Sequence, residues 1–224
     1  QLILLSPMIG VTAFARFAGL AGLPAMLPPF AKAAWLNISP EYNPYKYNSF
    51  PVNAARQSWL LTHALQEQMG RDAREHRLDQ LPPVLAFQSV MDSTVSTRAV
   101  VTGLFDQLPA NGSELVVFDI NQAASFRPLF KPSSWAATSE LLPVAKRRYG
   151  VTIITNASAD SFAAVAKITP AGGTDETAVP LAMSWPQEVY SLSHVAVPFP
   201  PDDDLYGRHP AEKNRYGISL GTIA

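Results

Sequence analysis

Short runs of almost uninterrupted apolar residues constrain this chain more than any other feature. Val84–Ser89 (VLAFQS), Glu114–Ile120 (ELVVFDI) and Val151–Thr155 (VTIIT) are each of strand length, and none alternates cleanly between apolar and polar. A strand of that kind needs cover on both faces, which is the situation of a central strand in a parallel sheet. Leu2–Leu5 (LILL), stopped by Pro7, has the same character. Between the second and third runs, Thr94 to Leu108 is patterned as a helix and Asn111-Gly112 marks a turn. Strand, helix and strand at this spacing form a βαβ unit, with parallel strands and a right-handed connection. A fifth strand is expected within Val189–Val197. The predicted class is therefore α/β, with a mostly parallel sheet.

Other segments fit around that sheet. Between Leu5 and Val84 the chain makes a long excursion with too little regular periodicity for one crossover helix. It includes a Tyr/Asn/Pro-rich loop from Asn37 to Pro51. A compact domain rarely carries such a stretch unless it is a lid or a binding subdomain. From Ala54 a helix is expected, with Trp59, Leu60, His63, Ala64 and Leu65 at three- and four-residue spacings. Its continuation, Gly70 to Gln80, is charged and solvent-facing. Leu141 to Tyr149 reads as another helix, ending in Lys146, Arg147 and Arg148, where cations suit the carbonyl end. Ala171 to Thr177 reads as a surface loop. Twenty prolines in 224 residues argue against a helical bundle.

Charge and composition exclude several partner classes. Seventeen Lys and Arg against 18 Asp and Glu leave a net charge of −1, without the basic excess that phosphate neutralisation requires, so nucleic acid is not an expected partner. With no cysteine there is no disulfide, thiolate metal site or cysteine nucleophile, and the compartment stays open. The apolar stretch Leu2 to Trp35 is not a membrane span: its uncharged runs, Gln1 to Ala15 and Phe17 to Ala31, are 15 residues each, short of the ~20 that a span requires. No basic region or cleavage site marks a signal peptide. A chain that begins at Gln1 directly in an apolar strand reads as the later part of a longer polypeptide.

Catalytic groups in open parallel sheets gather beyond the carboxyl ends of the strands. Two residues meet that condition. Asp92 follows the strand Val84–Ser89, within Ser89-Val-Met-Asp-Ser-Thr-Val95, and His194 lies in Val189-Tyr-Ser-Leu-Ser-His-Val-Ala-Val-Pro198. A carboxylate followed much later by a histidine is the second half of a Ser…Asp…His order. The histidine base needs a carboxylate on its other ring nitrogen to fix the tautomer and stabilise the imidazolium that forms. Asp119, ending the next strand, is the rival acid, and Asp92 could instead cap the helix from Thr94 onward. His63 on an apolar helix face reads as packed, His76 as solvated, and His209 carries no spacing signal. Asp202, Asp203 and Asp204 lack the ligand periodicity of a calcium loop. No metal or cofactor is implied. A literal G-x-S-x-G stands at Gly217-Ile-Ser-Leu-Gly221. Ser219 is nevertheless disfavoured as a nucleophile: the segment before it is too polar for the buried strand an elbow needs, and it follows the acid and histidine in order. Tyr42, Tyr45, Tyr47 and Phe50 suit either a lipid pocket or the internal packing of a cap.

The Leu-Leu-Ser-Pro segment, the apolar excursion, the Pro-Pro-Val-Leu strand leading to Met91-Asp92-Ser93-Thr94-Val95 and the final histidine resemble the C-terminal half of an α/β-hydrolase, of the bacterial lysophospholipase or monoacylglycerol-lipase kind. The resemblance implies helices on both faces of the sheet, with residues 1–6 a core strand and 7–81 a cap over an acyl site. Residues 82–224 would be the rest of the core, with an insertion carrying its own strand or strands between about 121 and 188. It further implies Asp92 as triad acid, His194 as base, and a nucleophile and N-terminal half outside this chain. The substrate would be a small ester with an apolar acyl chain, with a non-catalytic scaffold binding an apolar ligand or a protein as the alternative.

Overall fold

A computed structural model describes residues 1–11, 27–37, 50–92, 94–129, 131–186 and 191. The chain divides into two compact units, one from Gln1–Thr12 and Leu61–Val195, the other from Ala13–Leu60 and Ala196–Ala224. In the second, a 3-10 helix spans Pro28–Ala34, with proline at its start where a missing N–H is no loss. Trp35–Asn37 (β2) then pairs antiparallel with Phe50–Pro51 (β3). Helix α1, Val52–Arg74, begins in this unit and continues into the first.

The first unit is built on a six-stranded sheet. Its strands are β1 (Leu2–Leu5), β4 (Val84–Ser89), β5 (Glu114–Phe118), β6 (Gly150–Asn156), β7 (Ala163–Thr169) and β8 (Thr177–Ser184), in that spatial order. The first four run parallel, in the register Leu4↔Ala86, Ala86↔Leu115 and Leu115↔Val151. These are the four apolar runs recognised in the sequence. Because side chains alternate along a strand, that register stacks Leu4, Val84, Ala86, Leu115, Val117, Val151 and Ile153 on one face. Helix α2 (Thr97–Gly103) and the 3-10 turn Phe105–Gln107 cover that face with Val100, Val101, Leu104, Phe105 and Leu108. Complete burial of Leu115, Val117, Phe105 and Leu108 stabilises by about 1.5–3 kcal/mol each.

Local chemistry sets the ends of these elements. Helix α2 starts at Thr97 rather than Thr94, because the Ser96 hydroxyl accepts the Ala99 N–H at 3.2 Å and so caps it. The Asn111-Gly112 turn forms where it is expected, with Gly112 at φ 83. Asn111 Oδ1 accepts the Ser113 hydroxyl, and Ser113 Oγ accepts the Val84 N–H, so one turn ties the starts of β4 and β5 together. Gly10 passes so near α2 that a Cβ there would lie 2.5 Å from the Ala99 Cβ, while its carbonyl accepts the Ser96 N–H at 2.8 Å.

Three elements depart from the sequence reading. The expected helix Leu141–Tyr149 does not form. Two short helices, α3 (Pro132–Trp135) and α4 (Ala137–Leu141), stop before it, because Pro143 forces Leu142 out of helical geometry, to φ −122 and ψ 64. Antiparallel strands β7 and β8 extend the sheet where the pattern alone marked only the turn between them, at Ala171–Thr177. Pro180 is accommodated because β8 ends the sheet among the described residues, and an edge strand can spare a donor. The fifth strand expected within Val189–Val197 lies outside the described residues, Ser191 apart.

Two outcomes follow. Gly10→Ala should lower stability by about 1–3 kcal/mol through overpacking against Ala99, read as a lower urea midpoint at unchanged m-value. Tyr149 is buried against Phe105, with ring centroids 4.9 Å apart, and its hydroxyl donates to Asp106 Oδ1 at 3.2 Å. Burial, and then the Asp106 charge, push its phenol from 10.0 up to about 12. The fold thus favours the neutral phenol: this contribution is intact below pH 10 and is lost as the pH rises through about 12. Tyr149→Phe should flatten the decline in unfolding free energy measured between pH 9.5 and 11.5.

Candidate functional site

The carboxyl ends of β4, β5 and β6 are marked by polar residues that close otherwise apolar strands: Gln88 and Ser89, Asp119, and Thr155 and Asn156. All five are buried. The loops leaving these ends carry both candidate acids.

Asp92 stands in the loop between β4 and α2 and is half-buried. Its Oδ1 accepts the backbone N–H groups of Thr94 and Val95, both at 2.9 Å. Its Oδ2 has one contact among the described residues, from Gln88 Nε2 at 3.4 Å. Asp92 therefore shapes the turn that precedes α2 with one oxygen and keeps acceptor capacity on the other. The helix cap itself belongs to Ser96.

Asp119 is the opposite case. It is 6% exposed, and both oxygens are fully engaged. Oδ1 accepts the Thr138 hydroxyl at 2.5 Å and the Ile120 N–H at 2.8 Å; Oδ2 accepts the Thr155 hydroxyl at 3.0 Å and the Gln122 side-chain amide at 3.1 Å. A carboxylate offers about four lone-pair positions, so none remains for an imidazole. Asp119 is a tie that joins the end of β5 to β6 and to α4. Next to it, Asn156 Nδ2 donates to Asn121 Oδ1 at 2.9 Å and to the Ser161 carbonyl at 2.8 Å, closing a second buried polar link.

A cleft of about 630 Å³ opens beside Asp119. Trp135, Leu142 and Ile153 form its apolar wall, and Arg127, Lys167 and Glu176 are its charged lining. Lys167 and Glu176 pair with each other at 3.3 Å. The cleft thus presents a saturated carboxylate, a charge pair and the Arg127 guanidinium.

His194, Ser219, His209 and Asp202–Asp204 lie outside the described residues, as do Tyr42, Tyr45 and Tyr47. His63, expected to be packed, is more than half exposed at 55% and stands 3.4 Å from Glu67, one helical turn on. The buried neighbour on that helix is Thr62. His76 is exposed, as expected, at φ 56 beside Asp79. Among the described residues no cluster of three or more His, Asp or Glu side chains could hold a metal ion, and no helix is long and apolar enough to cross a membrane. Comparison with family models, with curated proteins and with solved structures returns no match.

Pattern reading found Asp92 and Asp119 but missed Gln88, Thr138, Thr155 and the Asn121–Asn156 pair. A usable signal was present: a polar residue ending each apolar run marks the edge where loops converge. Asp119→Ala leaves four donors, two hydroxyls and two amide N–H groups, without their acceptor and should cost about 2–4 kcal/mol. Urea unfolding checks it; a loss under about 0.5 kcal/mol, the scale of surface changes, would remove Asp119 from this structural role.

Proposed function

We propose that the chain is part of a serine hydrolase that cleaves carboxylic esters with apolar acyl chains, by a Ser-His-Asp mechanism. His194 takes the proton of an attacking serine, Asp92 accepts the N–H of the opposite ring nitrogen, and the serine lies outside these 224 residues. The serine oxygen bonds to the ester carbonyl carbon, the alcohol leaves with the proton from the imidazolium, and water then releases the acid by the same route.

One observation carries the choice of acid. Asp92 lies past the carboxyl end of a central parallel strand, with one oxygen pinned by two backbone amides and the other able to accept a further bond. Asp119, the rival, has no lone pair to spare. The parallel order β1-β4-β5, with Asp92 following the second of these strands, is also compatible with the hydrolase resemblance.

A second reading, a non-catalytic scaffold for an apolar ligand or partner, draws support from the exposed Leu27, Phe30, Trp35 and Phe50. The same side chains suit an acyl chain, so activity decides. In the full-length polypeptide, Asp92→Asn should lower kcat for a p-nitrophenyl acyl ester by about 10⁴-fold, and His194→Ala by about 10⁶-fold. An alkyl fluorophosphonate should label the wild-type protein on serine. Unchanged turnover in both variants removes Asp92 and His194 from the mechanism; no turnover and no labelling in the wild type favours the scaffold.

A further inference from the structure

Gln88 occupies the third inward position of β4, after Val84 and Ala86, and has no exposed surface. An amide in that place costs free energy that a leucine or methionine would not, unless its polar atoms are used. Its Nε2 lies 3.4 Å from Asp92 Oδ2, 3.4 Å from Thr97 Oγ1 and 3.5 Å from the Ser89 carbonyl. Its Oε1 is buried and has no hydrogen-bond partner among the described residues. Thr97 does not supply one, because its hydroxyl already donates to the Ser89 carbonyl at 2.8 Å. Turning the amide over would set Oε1 against the Asp92 carboxylate, two acceptors face to face. The carboxylate, together with the Thr97 oxygen and the Ser89 carbonyl, therefore dictates which way the amide points, and the orphaned oxygen is the cost of that choice.

We infer that Gln88 is a positioning residue for Asp92. This rests on the ester-hydrolase reading and extends it. The amides of Thr94 and Val95 hold Oδ1 from the loop, and Gln88 approaches Oδ2 from within the sheet. Together they fix the plane of the carboxylate and leave the remaining lone pair of Oδ2 to the imidazole N–H. A two-oxygen grip of this kind matters because the acid works by orienting its histidine, and small displacements of a catalytic partner are costly in rate. Gln88 acts through Asp92, so its contribution falls on turnover and not on ester binding.

The test uses the full-length polypeptide and a p-nitrophenyl acyl ester. Gln88→Met, close in volume, should lower kcat about tenfold, the scale of one hydrogen bond to a charged group, with KM unchanged. In the Asp92→Asn background the same change should cost nothing further, because residues that act as a unit are not additive. The wild-type protein supplies a readout independent of that variant: Asp92→Asn should shift the Gln88 side-chain amide resonances in a ¹H–¹⁵N spectrum. If Asp92→Asn abolishes turnover while Gln88→Met keeps the wild-type kcat, or if the Gln88 resonances do not move, the positioning role is overturned and the hydrolase reading stands. If Asp92→Asn itself leaves turnover intact, the hydrolase reading fails first.

Discussion

The register of the parallel ladder is the constraint on which the rest depends. Leu4, Ala86, Leu115 and Val151 fall in line across four strands, so that one face of the sheet, Gln88 apart, is apolar from β1 to β6. A slip of one residue would turn every one of those side chains to the opposite face. The Asn111-Gly112 turn and Ser113 guard against such a slip at the amino ends of β4 and β5, where a hydroxyl from one strand's start accepts the other's first N–H. With the amino ends so fixed, the carboxyl ends of β4, β5 and β6 arrive level with one another. That is the condition for loops from different strands to share a site.

At that edge the chain treats its two carboxylates differently. Asp119 is enclosed by four neutral donors, which offset the cost of burying its charge and leave it nothing to offer a ligand. Asp92 is pinned at Oδ1 by two backbone amides, meets only Gln88 at Oδ2 among the described residues, and stays half-exposed. Burial and hydrogen-bond saturation, rather than position in the chain, separate the structural acid from the candidate catalytic one. Gln88 belongs with Asp92 in this respect, since its own bonding is left incomplete in order to face the carboxylate.

Much of the fold was legible from residue order. The four parallel strands were marked by apolar runs, the turn by Asn-Gly, and the α/β class by helix-patterned segments between strands. The β7–β8 hairpin was not, because Ala163–Thr169 is rich in alanine and β8 carries a proline, both poor strand signals. The Leu141–Tyr149 helix was misread because cations at the end of a segment suggest a helix terminus, whereas Pro143 vetoes the helix itself. His63 was misplaced because helical spacing gives a face but not which neighbours cover it.

The sequence by itself determined where the four parallel strands and the Asn111-Gly112 turn lie, and it singled out Asp92 and Asp119 as the acids beyond the strand ends. These are local matters, set by side-chain periodicity and backbone preference. Only the tertiary structure decided which acid keeps a free lone pair. Thr138 and Thr155 reach Asp119 from segments 19 and 36 residues further along the chain. No spacing along the chain encodes such meetings, because they exist only once the ladder has set the strands side by side.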